Sequence, residues 1–174
     1  MIKRAILIGV IGSSSASEKA KGIAYSVGQE IIKQGYHLIC GGLGGVMEAA
    51  SKGAYDASGG NNERIIGILP GHIKEDANNY VGISIPTGIG FARNMIIACS
   101  SDAVIAVEGG SGTLSEISMA WQYGKPIVVM KGSGGISETL IGKRLDKRRD
   151  YIIEGADNAE EALKVIKRHF SEQK

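Results

Sequence analysis

The sequence predicts an α/β protein: a doubly wound parallel β-sheet flanked by helices, with residues 1–174 forming a single domain. Three observations carry that expectation. Apolar runs such as AILIGVI, DAVIAV and PIVVM lack the strict alternation of half-exposed strands, as expected of parallel strands covered on both faces. Longer segments with apolar residues at helical spacing lie between them. Turns rich in glycine and serine punctuate the changes from one to the other.

Taken in order, AILIGVI (residues 5–11) reads as the first strand, followed by the turn GSSSAS and a helix over about residues 17–34. YHLIC is the second strand, and GGLGG turns the chain into the helix of VMEAASKGAYDAS. RIIGILP is the third strand, GHIKEDANNY a polar connection, and GISIPT a short fourth strand. GFARNMIIACSS begins another helix, DAVIAV is the fifth strand, GTLSEISMAWQYG its helix, and PIVVM the sixth strand. ADNAEEALKVIKRHF closes the chain as an amphipathic helix. The basic run GKRLDKRRD (142–150), with two aspartates interspersed, reads as a solvated face.

Composition narrows the function classes. With 20 basic and 18 acidic residues the net charge is +2, too balanced to bind nucleic acid by electrostatics alone. Glycine, 26 of 174 residues, is about twice its usual share, and it clusters at a few sites instead of repeating. Cys40 and Cys99 are far apart and sit in or beside apolar segments, so both read as reduced core cysteines. His37, His72 and His169 share no ligand spacing, and no protein-held metal or other cofactor is expected. MIKRAILIGVIG mimics a signal peptide, but its apolar run is short and breaks at Gly12, so a first strand is the better reading. No apolar stretch is long enough to span a bilayer, and a cytoplasmic location is expected.

In a parallel sheet the C-terminal ends of all strands lie on one edge, where ligands bind. GSSSAS follows strand one, GGLGG strand two, PGH strand three and EGGSGT strand five. Glycine lets the backbone approach a phosphate closely, and a helix N-terminus supplies unpaired amides to hold it. The candidate ligand-binding residues are therefore Gly12, Ser13 and Ser14, then Gly41, Gly42, Gly44 and Gly45, and finally Gly109, Gly110, Ser111, Gly112 and Thr113. A nicotinamide fingerprint is missing: Gly9-Val10-Ile11-Gly12 has the wrong spacing, and Cys40-Gly41 stands where an acid would close the second strand. Gly-x-x-x-x-Gly-Lys-Ser/Thr is absent as well. The expected ligand is phosphorylated and is not an ordinary dinucleotide. Taken alone, Glu116 reads equally as an acid in a helix's first turn that favours the dipole, and Arg93 as an ion-pair partner at a helix start.

GSSS after strand one, GGLGGVMEAASKGA after strand two and GGSGTLSE after strand five resemble the LOG ("Lonely Guy") family, over about residues 5–130. That family lies in a wider nucleotide-binding, Rossmann-like superfamily with the DprA-type proteins, and the branch this chain looks closest to includes the molybdenum cofactor carrier proteins. LOG enzymes hydrolyse the N-glycosidic bond of nucleoside 5′-monophosphates to base and ribose 5-phosphate. By resemblance, Gly109, Gly110, Gly112 and Thr113 hold the phosphate, Glu116 is the catalytic acid, Arg93 is the catalytic arginine, and Glu48 faces the pocket. The resemblance also implies a homodimer or higher oligomer.

Two residues depart from the family's pattern. Glu108 stands where the Pro-Gly-Gly-x-Gly-Thr-x-x-Glu signature has proline, and Asn94 follows Arg93 where LOG enzymes usually have lysine. Both changes suit a relative that takes a different phosphorylated ligand, or one that binds without hydrolysing. Two functions are thus expected to compete: a phosphoribohydrolase, and a carrier or sensor of a phosphorylated molecule such as molybdenum cofactor.

Overall fold

Every residue of β5 (Ala103–Val107) is buried, and its side chains alternate between two separate cores. Ala103, Ile105 and Val107 face one core, Val104 and Ala106 the other. A strand covered on both faces needs apolar residues at every position, which is why its sequence shows no alternation. The computed structural model describes residues 4–172. Met1, Ile2 and Lys3 of the signal-like stretch lie outside the described residues, as do Gln173 and Lys174.

The remaining elements are β1 (Leu7–Gly12), α1 (Glu18–Lys33), β2 (His37–Cys40), α2 (Val46–Ala57), β3 (Ile65–Leu69), β4 (Ile83–Pro86), α3 (Arg93–Ser100), α4 (Ser111–Gln122), β6 (Ile127–Met130), α5 (Gly135–Glu138), β7 (Glu154–Ala156) and α6 (Ala159–Glu172). The seven strands are all parallel, in the order β4-β3-β2-β1-β5-β6-β7. Helices α1, α2 and α6 bury Val27, Ile31, Ala50 and Ile166 against one face, and α3 and α4 bury Ile97, Ile117 and Trp121 against the other. Ser17 caps α1, its hydroxyl accepting from the Ala20 amide at 3.2 Å. Helices α1 and α2 touch backbone to backbone, because a Cβ at Gly28 would overlap the Ala50 carbonyl and one at Gly53 the Tyr25 carbonyl.

β1 is paired with β2 on one side and β5 on the other, so the order of strands reverses there. The chain leaves β1 toward the α1 face and leaves β5 toward the α4 face. The crevice opened between those two departures is the switch point of a doubly wound sheet.

Two segments differ from the sequence reading. The stretch after β6 holds α5 and β7, a single turn and a three-residue edge strand of sequence EGA. Neither is long or apolar enough to leave a periodic signal. The run at 142–150 is more than a solvated face: Asp146 accepts from Trp121 Nε1 at 2.9 Å, and Arg149 Nη2 donates to the Gln122 carbonyl at 2.8 Å. Opposite charges clasp the end of α4 there, with the Tyr151 ring 4.8 Å from that of Trp121. The reading of both cysteines as core residues holds for Cys40 and is corrected for Cys99, which is exposed. On α3, helical spacing turns Asn94, Ile97 and Ala98 inward and leaves Met95 and Cys99 outside. Among the described residues no helix is long and apolar enough to cross a membrane.

Candidate functional site

The turn after β5 delivers the chain directly into α4, whose first amides have no acceptor within the helix. Its N-cap is Gly110, no side chain caps it, and its first turn carries no acid. The amides of Ser111, Gly112 and Thr113 therefore open onto a cavity of about 270 Å³. Gly12, Ser13 and Ser14 from the β1 turn, Gly41 and Leu43 from the β2 turn, and Phe91, Arg93 and Asn94 from α3 and the turn before it line the same cavity. Glu116 and Met47 lie in its walls too.

Arg93 and Glu116 form a buried pair, with Arg93 Nη1 3.3 Å from Glu116 Oε1. Arg93 is 7% exposed and Glu116 5%. Burial pushes the Glu116 carboxyl up to about 7, against the opposing pull of the Arg93 guanidinium. Among the described residues, Arg93 Nε has no hydrogen-bond partner. Glycine at position 41 makes the pair possible: a Cβ there would run into the guanidinium of Arg93 and the sulfur of Met47. The helix begins at Ser111, so Glu116 sits in its second turn and cannot cap it, contrary to the bland reading of an acid in the first turn.

Asn94 ties the pair to the turn. Its Oδ1 accepts from Arg93 Nη1 at 2.8 Å, and its Nδ2 donates to Ser115 Oγ at 3.0 Å and to the Gly112 carbonyl at 3.3 Å. The sequence flagged Asn94 only as a departure from the family's lysine, and Phe91, 88% exposed at the rim, not at all. A lone aromatic in a turn before a helix carries no periodic signal.

Five expected ligand residues lie outside the cavity walls. Gly42 packs beneath the next loop, its carbonyl accepting from the Asn78 amide at 2.8 Å. Gly44 and Gly45 lie against the backbone of Ser13 and Ser14, where the Val46 amide donates to the Ser13 carbonyl at 2.9 Å. Gly109 accepts from the Ile136 amide at 2.9 Å and so anchors α5. Glu48 faces a separate cleft beside Lys21, Lys52 and Tyr80. The PGH turn also lies apart, its Pro70 and Gly71 carbonyls accepting from Gly90 and Gly88. It follows β3, two strands from the switch point.

Glu108 turns away from the cavity. It has φ 56°, the one positive φ outside glycine among the described residues. Its Oε1 accepts from the Ser17 amide at 3.3 Å at the start of α1, and its buried Oε2 has no partner among the described residues. The family's proline, fixed near φ −65°, would not fit this backbone.

These features place the chain in the LOG-like class of Rossmann-like proteins. It belongs to the SLOG cluster4 family, which it matches over residues 5–163, further than the motifs alone reach. It is 48% identical over 124 residues to an uncharacterized protein of Archaeoglobus fulgidus, covering 71% of this chain and 79% of that one. It is 28% identical over 172 residues to the cytokinin riboside 5′-monophosphate phosphoribohydrolase LOG5 of Arabidopsis thaliana, covering 89% of this chain and 74% of the enzyme. The solved structure of the molybdenum cofactor binding protein from Rippkaea orientalis superimposes with a TM-score of 0.83 at 35% identity, covering 96% of this chain and 98% of that one.

Proposed function

We propose that the cavity binds a phosphorylated small molecule of the nucleoside 5′-monophosphate class and that Arg93 and Glu116 hydrolyse its N-glycosidic bond. The observation that carries this reading is a carboxyl titrating near 7, held against an arginine a few residues from bare helix amides. The phosphate sits on the amides of Ser111, Gly112 and Thr113, with the hydroxyls of Ser13, Ser14 and Thr113 as further donors. Water attacks C1′ as the bond to the base nitrogen breaks. Ionised Glu116 stabilises the positive charge developing on the sugar and takes the water's proton, while the electron pair leaves with the base, which is protonated from solvent. Arg93 orients the carboxylate. The likeness to the Arabidopsis phosphoribohydrolase supports this assignment.

A panel of nucleoside 5′-monophosphates, incubated with the protein and with Glu116→Gln, tests it by chromatography of free base. Release by the wild type that is lost in the variant supports the hydrolase; release unchanged in the variant overturns it.

Asn94 and Glu108 favour a second reading, a non-catalytic carrier or sensor, which the likeness to the Rippkaea protein also supports. Saturable calorimetric binding of nucleotides or pterin phosphates without base release is its expected result. We further infer a homo-oligomer in the cytoplasm. Ile83, Ile85, Ile89, Phe91 and Met95, close in sequence, are exposed large apolar side chains, Phe91 at the cavity rim, and monomeric proteins rarely leave large apolar patches open.

A further inference from the structure

We infer that the site selects its substrate by leaving group: it hydrolyses 5′-ribotides whose ring nitrogen at C1′ is already cationic, of the pyridinium and N7-alkylated purine class. This rests on the reading of the cavity as a hydrolytic site. When the bond from C1′ to a neutral base breaks, the base departs as an anion unless a proton reaches it in the same step. Glycoside hydrolysis meets the equivalent need with two carboxyl groups, one of which protonates the leaving group. Among the described residues the cavity wall holds one carboxyl, Glu116, and one other titratable side chain, Arg93.

Neither can serve as the second acid. Glu116 is the ionised group that meets the positive sugar and accepts the water's proton, and one carboxyl cannot be ionised and protonated in the same step. The Arg93 guanidinium does not give up its protons in proteins. Asn94 is spent, its Oδ1 accepting from Arg93 Nη1 and its Nδ2 donating to Ser115 and Gly112. Cys40 also feels the charges of the pair, but it is fully buried outside the wall. Its thiol lies 3.7 Å from Ser51 Oγ and accepts from the Gly42 amide at 3.4 Å. Beside the pair the wall is apolar: Met47 crowds the guanidinium at Gly41, and Leu43 and Phe91 belong to the same wall. Such a surface offers a flat ring contact and no proton. A base joined through a cationic nitrogen needs none. As the C1′–N bond breaks, its electron pair cancels the ring charge and the base departs neutral. Water supplies the oxygen of the new C1′–O bond and gives its proton to Glu116, which passes it to solvent. The ionised pair carries no net charge, so a cationic ring meets no net repulsion from it.

Chromatography of the base released by the full chain tests the inference. Nicotinamide mononucleotide and 7-methylguanosine 5′-monophosphate are the cationic substrates, AMP and GMP the neutral ones, each corrected for release without protein. A missing general acid costs about a hundredfold or more, so kcat for both cationic substrates should exceed kcat for AMP and GMP by at least that factor. GMP and its 7-methyl derivative differ by a methyl group and the charge it brings, so shape does not account for a gap between them. A smaller gap, or faster release from AMP and GMP, overturns this inference alone, because the protein must then deliver a proton to the base. Release from none of the substrates overturns the hydrolytic reading of the cavity and this inference with it.

Discussion

The Arg93 guanidinium and the Glu116 carboxyl meet at 3.3 Å with both side chains less than a tenth exposed. Burial strips most of the solvent from both groups, so the guanidinium sets the state of the carboxyl. Burial alone drives the carboxyl toward neutrality, and the guanidinium draws it back to about 7. A group so balanced changes protonation across the physiological range, as a general base should.

If ionised Glu116 is the working form, base release by the wild type rises with pH through about 7. Removing the guanidinium leaves desolvation unopposed. In Arg93→Met the rising limb should therefore move about one unit or more to higher pH, with a rate loss of about a hundredfold or more. A pH–rate profile for both proteins, with a fixed nucleoside monophosphate, reads this directly. A limb that stays where it was would detach Glu116 from it.

The same shift governs stability. The Glu116 carboxyl has an ordinary value of 4.5 and a folded value of about 7, so between those pH values the folded chain holds more protons than the unfolded one. Its contribution to stability is complete below 4.5 and is lost as pH rises through about 7. The loss amounts to about 2–3 kcal/mol. Urea unfolding at pH 5 and pH 8 should show this difference in the wild type relative to Glu116→Gln. Parallel pH dependence in the two proteins would contradict it.

The sheet was legible because its signal is spread over many residues. Five consecutive apolar positions in β5 mean a strand covered twice, whatever the details. The three turns that meet at the switch point were legible for a related reason: they follow β1, β2 and β5, which are neighbours in the sheet. What stayed hidden depends on single orientations. GGLGG contributes Gly41 to the cavity while Gly42, Gly44 and Gly45 pack against backbone, because each glycine in a turn points differently. Glu108 belongs in sequence to the phosphate turn, yet its left-handed backbone swings the carboxylate to α1. β7 was missed because three residues at a sheet edge are too few to show a period.

Gly41 permits a finer test of the pair. A methyl group there collides with the guanidinium and with the Met47 sulfur, both in the cavity wall. Gly41→Ala is expected to fold with a loss of about 1–3 kcal/mol. Its activity should fall by about a hundredfold, since an ångström of displacement is costly at a reacting centre. Thermal unfolding together with kcat/KM separates the two effects. Wild-type kcat/KM in this variant would mean that Arg93 need not sit where it does.

The exposed apolar surface predicts how the chain assembles. β4 is one of the sheet's two edge strands, and Ile83 and Ile85 project from the same side of it, each 45% exposed. Phe91 and Met95 continue the patch from the turn into α3, next to Arg93 and Asn94, so whatever covers the patch also borders the cavity. An open apolar edge invites pairing, and a second copy is the partner always at hand. Light scattering at micromolar concentration should give twice the monomer mass or more. Ile85→Lys places a charge in the middle of the patch while leaving the cavity lining intact, and should shift the protein to monomer. If the rim is shared between copies, its affinity for AMP should fall about tenfold at the same time, since one wall of the site departs with the partner. A monomeric wild type would refute the assembly, and an oligomer indifferent to Ile85→Lys would move the interface elsewhere.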